Sequence, residues 1–141
     1  MQALAVDNLN FYYGSRLILD EITFSVSPGS ICGLLGPNGS GKTTLLKCIN
    51  GILKPAKGRI EINNVSLEQL DRQEIAKNMS VVPQQTNTVF AFKVVDMVVM
   101  GRSPVLEMWQ KPTLSDRADA VNLLIDLGIG YLAERRFNEI S

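Results

Sequence analysis

An α/β fold is predicted for this chain by three observations. Up to Gln84, alternating and continuous apolar runs read as strands; beyond it, apolar residues recur at helical spacing. A glycine-rich stretch, GPNGSGKTT from Gly36 to Thr44, sits between an apolar run and a helical pattern. The composition agrees with a packed domain: 141 residues, 45% of them apolar and 20% charged.

Leu9, Phe11 and Tyr13 alternate with other residues, Gly14-Ser15 interrupts, and Ile22, Phe24 and Val26 alternate again up to Pro28-Gly29. This predicts an antiparallel strand pair. Ile31 to Leu35 is apolar without alternation, as expected of a strand buried on both faces of a mostly parallel sheet. From Lys42 a helix is expected, with Leu45, Leu46 and Ile49 on its apolar stripe and Asn50-Gly51 at its end. Ile60 and Ile62, alternating with Arg59 and Glu61, predict another strand, and Met79 to Val82 a further one. Val94, Met97 and Val98 follow helical spacing. Thr113 and Asp116 form a capping box ahead of Ala118, Val121, Leu124 and Ile125, a helix that Gly128 ends. The expected division is residues 1–84 as a core with an antiparallel β subdomain and residues 85–141 as a helical subdomain.

Basic and acidic residues balance at 14 each, so no net field would draw the chain to nucleic acid or an anionic membrane. With no histidine and no CxxC pair, a zinc site is not expected, and Cys32 and Cys48 read as small buried hydrophobes. No run is long enough to span a bilayer and no signal peptide is visible, so a cytoplasmic location is expected.

Gly36 to Thr43 fits G-x-x-x-x-G-K-[ST], and phosphate chemistry needs each part of it. Glycines let the backbone curl so that N–H groups from about Gly39 to Thr44 point at phosphate oxygens, and a side chain at Gly41 would block that approach. The helix from Lys42 adds its N-terminal N–H groups and the positive end of its dipole. Lys42 is expected to reach the β- and γ-phosphates, and the Thr43 hydroxyl to ligate Mg²⁺. Asn38, Gly39, Ser40, Gly41, Lys42, Thr43 and Thr44 are the candidate ATP-binding residues of the loop, with Lys42 also a candidate catalytic residue.

LLGPNGSGKTTLLKCINGILKPAKGRIEI, with FYYG upstream and VVPQ downstream, resembles the ATP-binding subunit of ABC transporters. The resemblance implies the P-loop ATPase fold of that family in its N-terminal part: an antiparallel β subdomain, an incomplete core sheet, then a helical subdomain truncated at the signature motif. It implies that Tyr13 stacks on adenine, although the residue alone reads as a packed strand position. It gives Gln84 the role of the glutamine that touches Mg²⁺ and the attacking water. VVMGRSPVLEMWQKPTLSD, with Gly101-Arg102-Ser103-Pro104, looks like the corresponding segment of ATPases that serve importers of iron-siderophores, haem, vitamin B12 and related solutes. The family's histidine near this point is replaced here. There Val105, Met108 and Trp109 are either contacts to a membrane-spanning permease subunit or cover of the helical core.

Glu139-Ile140-Ser141 resembles the approach to the family's signature motif; the water-polarising glutamate and switch histidine of the family come later in its sequences. Leu17-Ile18-Leu19-Asp20-Glu21 fits the glutamate-bearing pattern only superficially, lying upstream of the phosphate loop, and Leu123-Leu124-Ile125-Asp126 continues as helix. The resemblance therefore implies that these residues bind ATP and Mg²⁺ without hydrolysing ATP. The whole protein would couple hydrolysis to uptake, pair with a second ATPase subunit, and sit on the inner face of the cell membrane. A soluble ABC protein, another P-loop ATPase, and a non-enzymatic nucleotide-binding fragment remain alternative readings. The unpaired edge expected along Ile31 to Leu35 predicts marginal stability or self-association.

Overall fold

The computed structural model of the chain describes residues 2–84, 91–107 and 109–140. It forms two compact units, Met1–Val81 and Val82–Ser141, a division a few residues ahead of the one expected at Gln84.

In the first unit, β1 (Leu4–Tyr13) and β2 (Arg16–Val26) form an antiparallel hairpin in which Tyr13 pairs with Arg16. Gly14 makes the turn at φ 58. β3 (Lys57–Ile62) adds to the other edge of β1, and β4 (Val65–Ser66) follows it, giving the order β2-β1-β3-β4. Asn63 and Asn64, both with positive φ, supply the tight turn that β3 and β4 share.

Strict alternation along β1 would put Val6 and Leu9 on opposite faces, yet both are buried in one core with Phe11. The register shifts between Val6 and Leu9, with Asn8 at φ 48, and this bulge restores both residues to the same side. Glu21 at φ 47 does the same in β2 between Leu19 and Ile22. Gly58 lies against the bulge in β1. A Cβ there would fall within van der Waals overlap of two backbone carbonyls, those of Asp7 and Asn8.

Helix α1 (Lys42–Ile49) closes this core with Leu45, Cys48 and Ile49. Leu46, expected on the apolar stripe, is exposed instead, because the face that meets the sheet runs through positions 45, 48 and 49 and includes the cysteine. Of the two thiols expected to be buried, Cys48 is and Cys32 is not.

The strands expected at Ile31 to Leu35 and Met79 to Val82 are not formed. A strand of that apolar composition needs hydrogen-bonded neighbours on both sides, and among the described residues neither segment pairs with another. Ile31 is 102% and Leu35 93% exposed. Helix α2 (Arg72–Asn78), absent from the sequence reading, starts at a capping box. Glu74 N–H donates to Asp71 Oδ1 at 2.7 Å and Asp71 N–H to Glu74 Oε2 at 2.8 Å.

In the second unit, α3 (Val94–Val99) runs into a 3₁₀ stretch, Met100–Val105, and α4 (Leu114–Asp126) packs beside α3. Val94, Val95, Ala120, Leu124 and Ala133 form its core. Ala118 and Ile125, expected on the apolar stripe of α4, are exposed, since the buried line runs through Asp116, Ala120 and Leu124. The Thr113 capping box is present: Thr113 N–H donates to Asp116 Oδ2 at 2.8 Å, and Asp116 N–H to Thr113 Oγ1 at 3.2 Å. Arg102 Nε reaches Asp116 Oδ1 at 2.8 Å, so the arginine of the Gly101–Pro104 segment ties the 3₁₀ stretch to the start of α4. A chain of ion pairs, Lys93 to Glu134 to Arg117 to Asp96, links α3, α4 and the segment beyond.

The Thr113 N–H and hydroxyl, then Arg102, hold the Asp116 carboxyl at about 2, below its ordinary 3.8. A carboxyl depressed in the folded state contributes stability that is complete above its unfolded value and lost as pH falls through the folded one. Melting temperature should therefore drop as pH falls from 3.8 toward about 2, and Asp116→Asn should flatten that slope; an equal slope in the variant would remove Asp116 from the account. The exposed Ile31 and Leu35 predict association that grows with concentration in a sedimentation series, weakened by Ile31→Lys with Leu35→Lys. A monomer at every concentration would contradict it.

Candidate functional site

Residues 36–44 curl between the exposed segment 31–35 and α1. Ser40 N–H donates to Pro37 O at 3.3 Å, closing a turn inside the loop. Gly39 and Gly41 follow at φ 81 and φ 90, left-handed conformations that L side chains rarely adopt. At Gly36 a Cβ would lie 2.8 Å from Ser40 Oγ, so the serine side chain would have to turn aside.

Gly41 caps α1 and is the point where the loop rests on β2. A Cβ at this position would stand 3.0 Å from Leu19 Cδ2 and 3.2 Å from Ile18 O. The glycine thus also meets the sheet closely on its inner side, beside the ligand-side need that the sequence predicts. Ile18 and Leu19 were missed as loop supports, since nothing in their alternation tells which segment they back.

Lys42 Nζ donates to Gly36 O at 2.8 Å and Pro37 O at 2.7 Å, so the ammonium sits inside the curl and holds it shut. The first N–H groups of α1 have no partner within the helix, no side chain caps them, and no acidic residue lies in the first turn. Lysine, open amides and helix dipole together make a concave positive site suited to an anion with several oxygens. Thr43 is exposed and Thr44 buried. The Thr43 hydroxyl is a hard oxygen donor of the kind Mg²⁺ accepts. Among the described residues no group of three His, Cys, Asp or Glu could hold a metal ion.

Tyr13 ends β1 in the same unit as the loop. Its ring stands edge-on to Phe11, with centroids 4.9 Å apart at 82°, and the side chain is 49% exposed. Buried Phe11 fixes the ring from one side and leaves surface open for stacking. Gln84 is exposed and belongs to the second unit. In that unit Trp109 is 92% exposed and Val105 is exposed as well, so neither covers the helical core; Met108 lies outside the described residues. Two cavities in the first unit, of about 290 and 540 Å³, include no residue of the phosphate loop.

A sheet-backed phosphate loop opening α1, with a separate helical unit after it, defines the class of P-loop nucleotide-binding proteins. The ABC transporter family model matches residues 19–141, and the chain belongs to that family. It is 40% identical over 139 residues to the "Probable iron chelatin transport ATP-binding protein" of Helicobacter pylori, covering 98% of this chain and 54% of that protein. It is 37% identical over 138 residues to the "Hemin import ATP-binding protein HmuV" of Bordetella avium, covering 98% and 52%. Among solved structures it resembles an inward-facing ABC transporter described as of metal-chelate type, with a TM-score of 0.80 and 35% identity over 99% of this chain and 50% of the other. The chain spans about half the length of the relatives it matches.

Gly41→Ala should destabilise the first unit by about 1–3 kcal/mol, read as a denaturant midpoint shift, through its strained φ and its contact with β2. Gly39→Ala meets no atom within 4 Å and should cost less. Equal losses would mean that the sheet contact contributes nothing.

Proposed function

We propose that these residues are the ATP-gripping part of an ABC importer's ATP-binding subunit, which couples ATP binding and hydrolysis to uptake of a metal chelate or related small solute. The observation that carries the proposal is Lys42, an ammonium held inside a curl of backbone at the start of a helix free of acidic residues in its first turn. When bound, ATP would supply the negative charge that this cradle neutralises, with Mg²⁺ sharing in that neutralisation.

In this reading Lys42 exchanges its loop carbonyls for the β- and γ-phosphate oxygens, and the amides from Gly39 to Thr44, with Asn38 and Ser40 at the rim, orient the chain of phosphates. Thr43 gives its hydroxyl to Mg²⁺. Tyr13 stacks on adenine with the ring surface that Phe11 leaves open. By resemblance to the family, Gln84 would take the role of the glutamine that touches Mg²⁺ and the attacking water. Lysine and threonine position phosphate without polarising water, so the 141 residues by themselves hold nucleotide and do not turn it over.

The helical unit, residues 85–141 in the sequence-based division, is the proposed contact to the membrane-spanning permease subunits. The exposure of Trp109 and Val105 supports this. A second ATPase subunit completes the assembly, and nucleic acid has no part in it. Among the described residues no helix is long and apolar enough to cross a membrane; in this reading the protein rests on the inner face of the cell membrane. The resemblance to iron chelatin and hemin import proteins supports the solute class.

Titration calorimetry with MgATP tests the reading. Lys42→Ala should weaken binding by about tenfold to a hundredfold, the worth of a lost charged hydrogen bond of about 1.5–3 kcal/mol. Unchanged affinity in a folded variant would sink the assignment.

A further inference from the structure

The chain contains the dipeptide Asn-Gly twice, at Asn38-Gly39 and Asn50-Gly51, in two unlike backbone settings. Asparagine is a thermolabile residue, and a glycine after it leaves the next backbone nitrogen unshielded. We propose that Asn38 is a site of spontaneous deamidation in the folded chain and that Asn50, in the identical dipeptide, is protected by its fold.

The step needs the Gly39 nitrogen, after giving its proton to base, to form a bond to Cγ of Asn38. The Cγ–Nδ2 bond breaks, ammonia leaves, and a cyclic imide remains. Water then opens the imide at either carbonyl, giving aspartate or isoaspartate.

Asn38 and Gly39 are both exposed. Among the described residues no hydrogen bond engages the Gly39 N–H or the Asn38 amide, and no atom lies within 4 Å of a Cβ built on Gly39. The nucleophile is therefore free to turn onto the side chain. At the second dipeptide it is not. Gly51 N–H donates to Cys48 O at 3.1 Å, and Asn50 Oδ1 accepts from Ile52 N–H at 3.3 Å. The Cβ position of Gly51 is 3.0 Å from Ile75 Cδ1, so α2 crowds the turn. Reaction at Asn50 requires the end of α1 to open first, and that opening divides its rate.

The product places a carboxylate on the loop whose Gly36 and Pro37 carbonyls hold Lys42, and isoaspartate lengthens the curl by one backbone atom. Either should weaken anion binding; this consequence rests on the nucleotide reading, whereas the modification itself does not.

The test is to incubate the native chain at mildly alkaline pH beside the same chain in urea, then to follow both dipeptides by peptide mass spectrometry. The expected result is conversion of both sites at similar rates in urea, with Asn50 slower than Asn38 by roughly tenfold or more in the native chain. Native Asn50 reacting as fast as Asn38, or native Asn38 staying intact while the unfolded chain converts, would overturn the proposal. MgATP titration of the aged protein separates the two claims: Asn38 converted with affinity unchanged upholds the modification and counts against the loop's role.

Discussion

The packing of the first unit and the shape of its loop meet at one contact, that of Gly41 with the edge strand β2. Leu19 is a core residue, and the loop comes down on it at Gly41, where a Cβ would stand 3.0 Å from Leu19 Cδ2. The sheet, through Leu9, Phe11 and Leu19, sets the height of Gly41; Gly41 sets where α1 begins; and Leu45 and Cys48 on α1 return to the same core. The phosphate loop is thus an exposed curl whose C-terminal end, at Gly41 and α1, is anchored in buried packing, while its entry through 31–35 is exposed. A site that must present amides to an anion gains from this, since its donors need no reorganisation when the anion arrives.

The second unit is organised differently. Its apolar core is small, built from valines and alanines with Leu124, and polar contacts set its geometry. Asp116 is both the third residue of a capping box and the partner of Arg102, so one carboxylate ends one element and begins another. The Lys93, Glu134, Arg117 and Asp96 pairs are largely exposed, and pairs of this kind contribute little individually. Their value lies in fixing the orientation of short helices that bury little surface.

The hairpin, the third strand, α1, the capping box at Thr113 and the phosphate loop were legible in the sequence because each is a local signal. What was not legible depended on partners distant in the chain. Val6 shares a face with Leu9 only through the bulge at Asn8, and the inward side of Gly41 is defined by Ile18 and Leu19 of β2, outside the loop's own local pattern. The runs at Ile31 to Leu35 and Met79 to Val82 have the composition of buried strands, but composition alone supplies no neighbour, and among the described residues they pair with nothing. Helix α2 was missed although Asp71 and Glu74 carry the same capping signal that was recognised at Thr113 and Asp116. Its short length and weak apolar pattern hid it.

The unequal burial of the thiols has a practical side. Burial pushes the Cys48 thiol up and leaves it no exposed surface, while Cys32 stands in solvent a few residues ahead of Gly36. A thiol-directed fluorophore added to the native protein would then label one position without any engineering. That dye would ride on the segment leading into the curl, where it could report optically on what the loop holds.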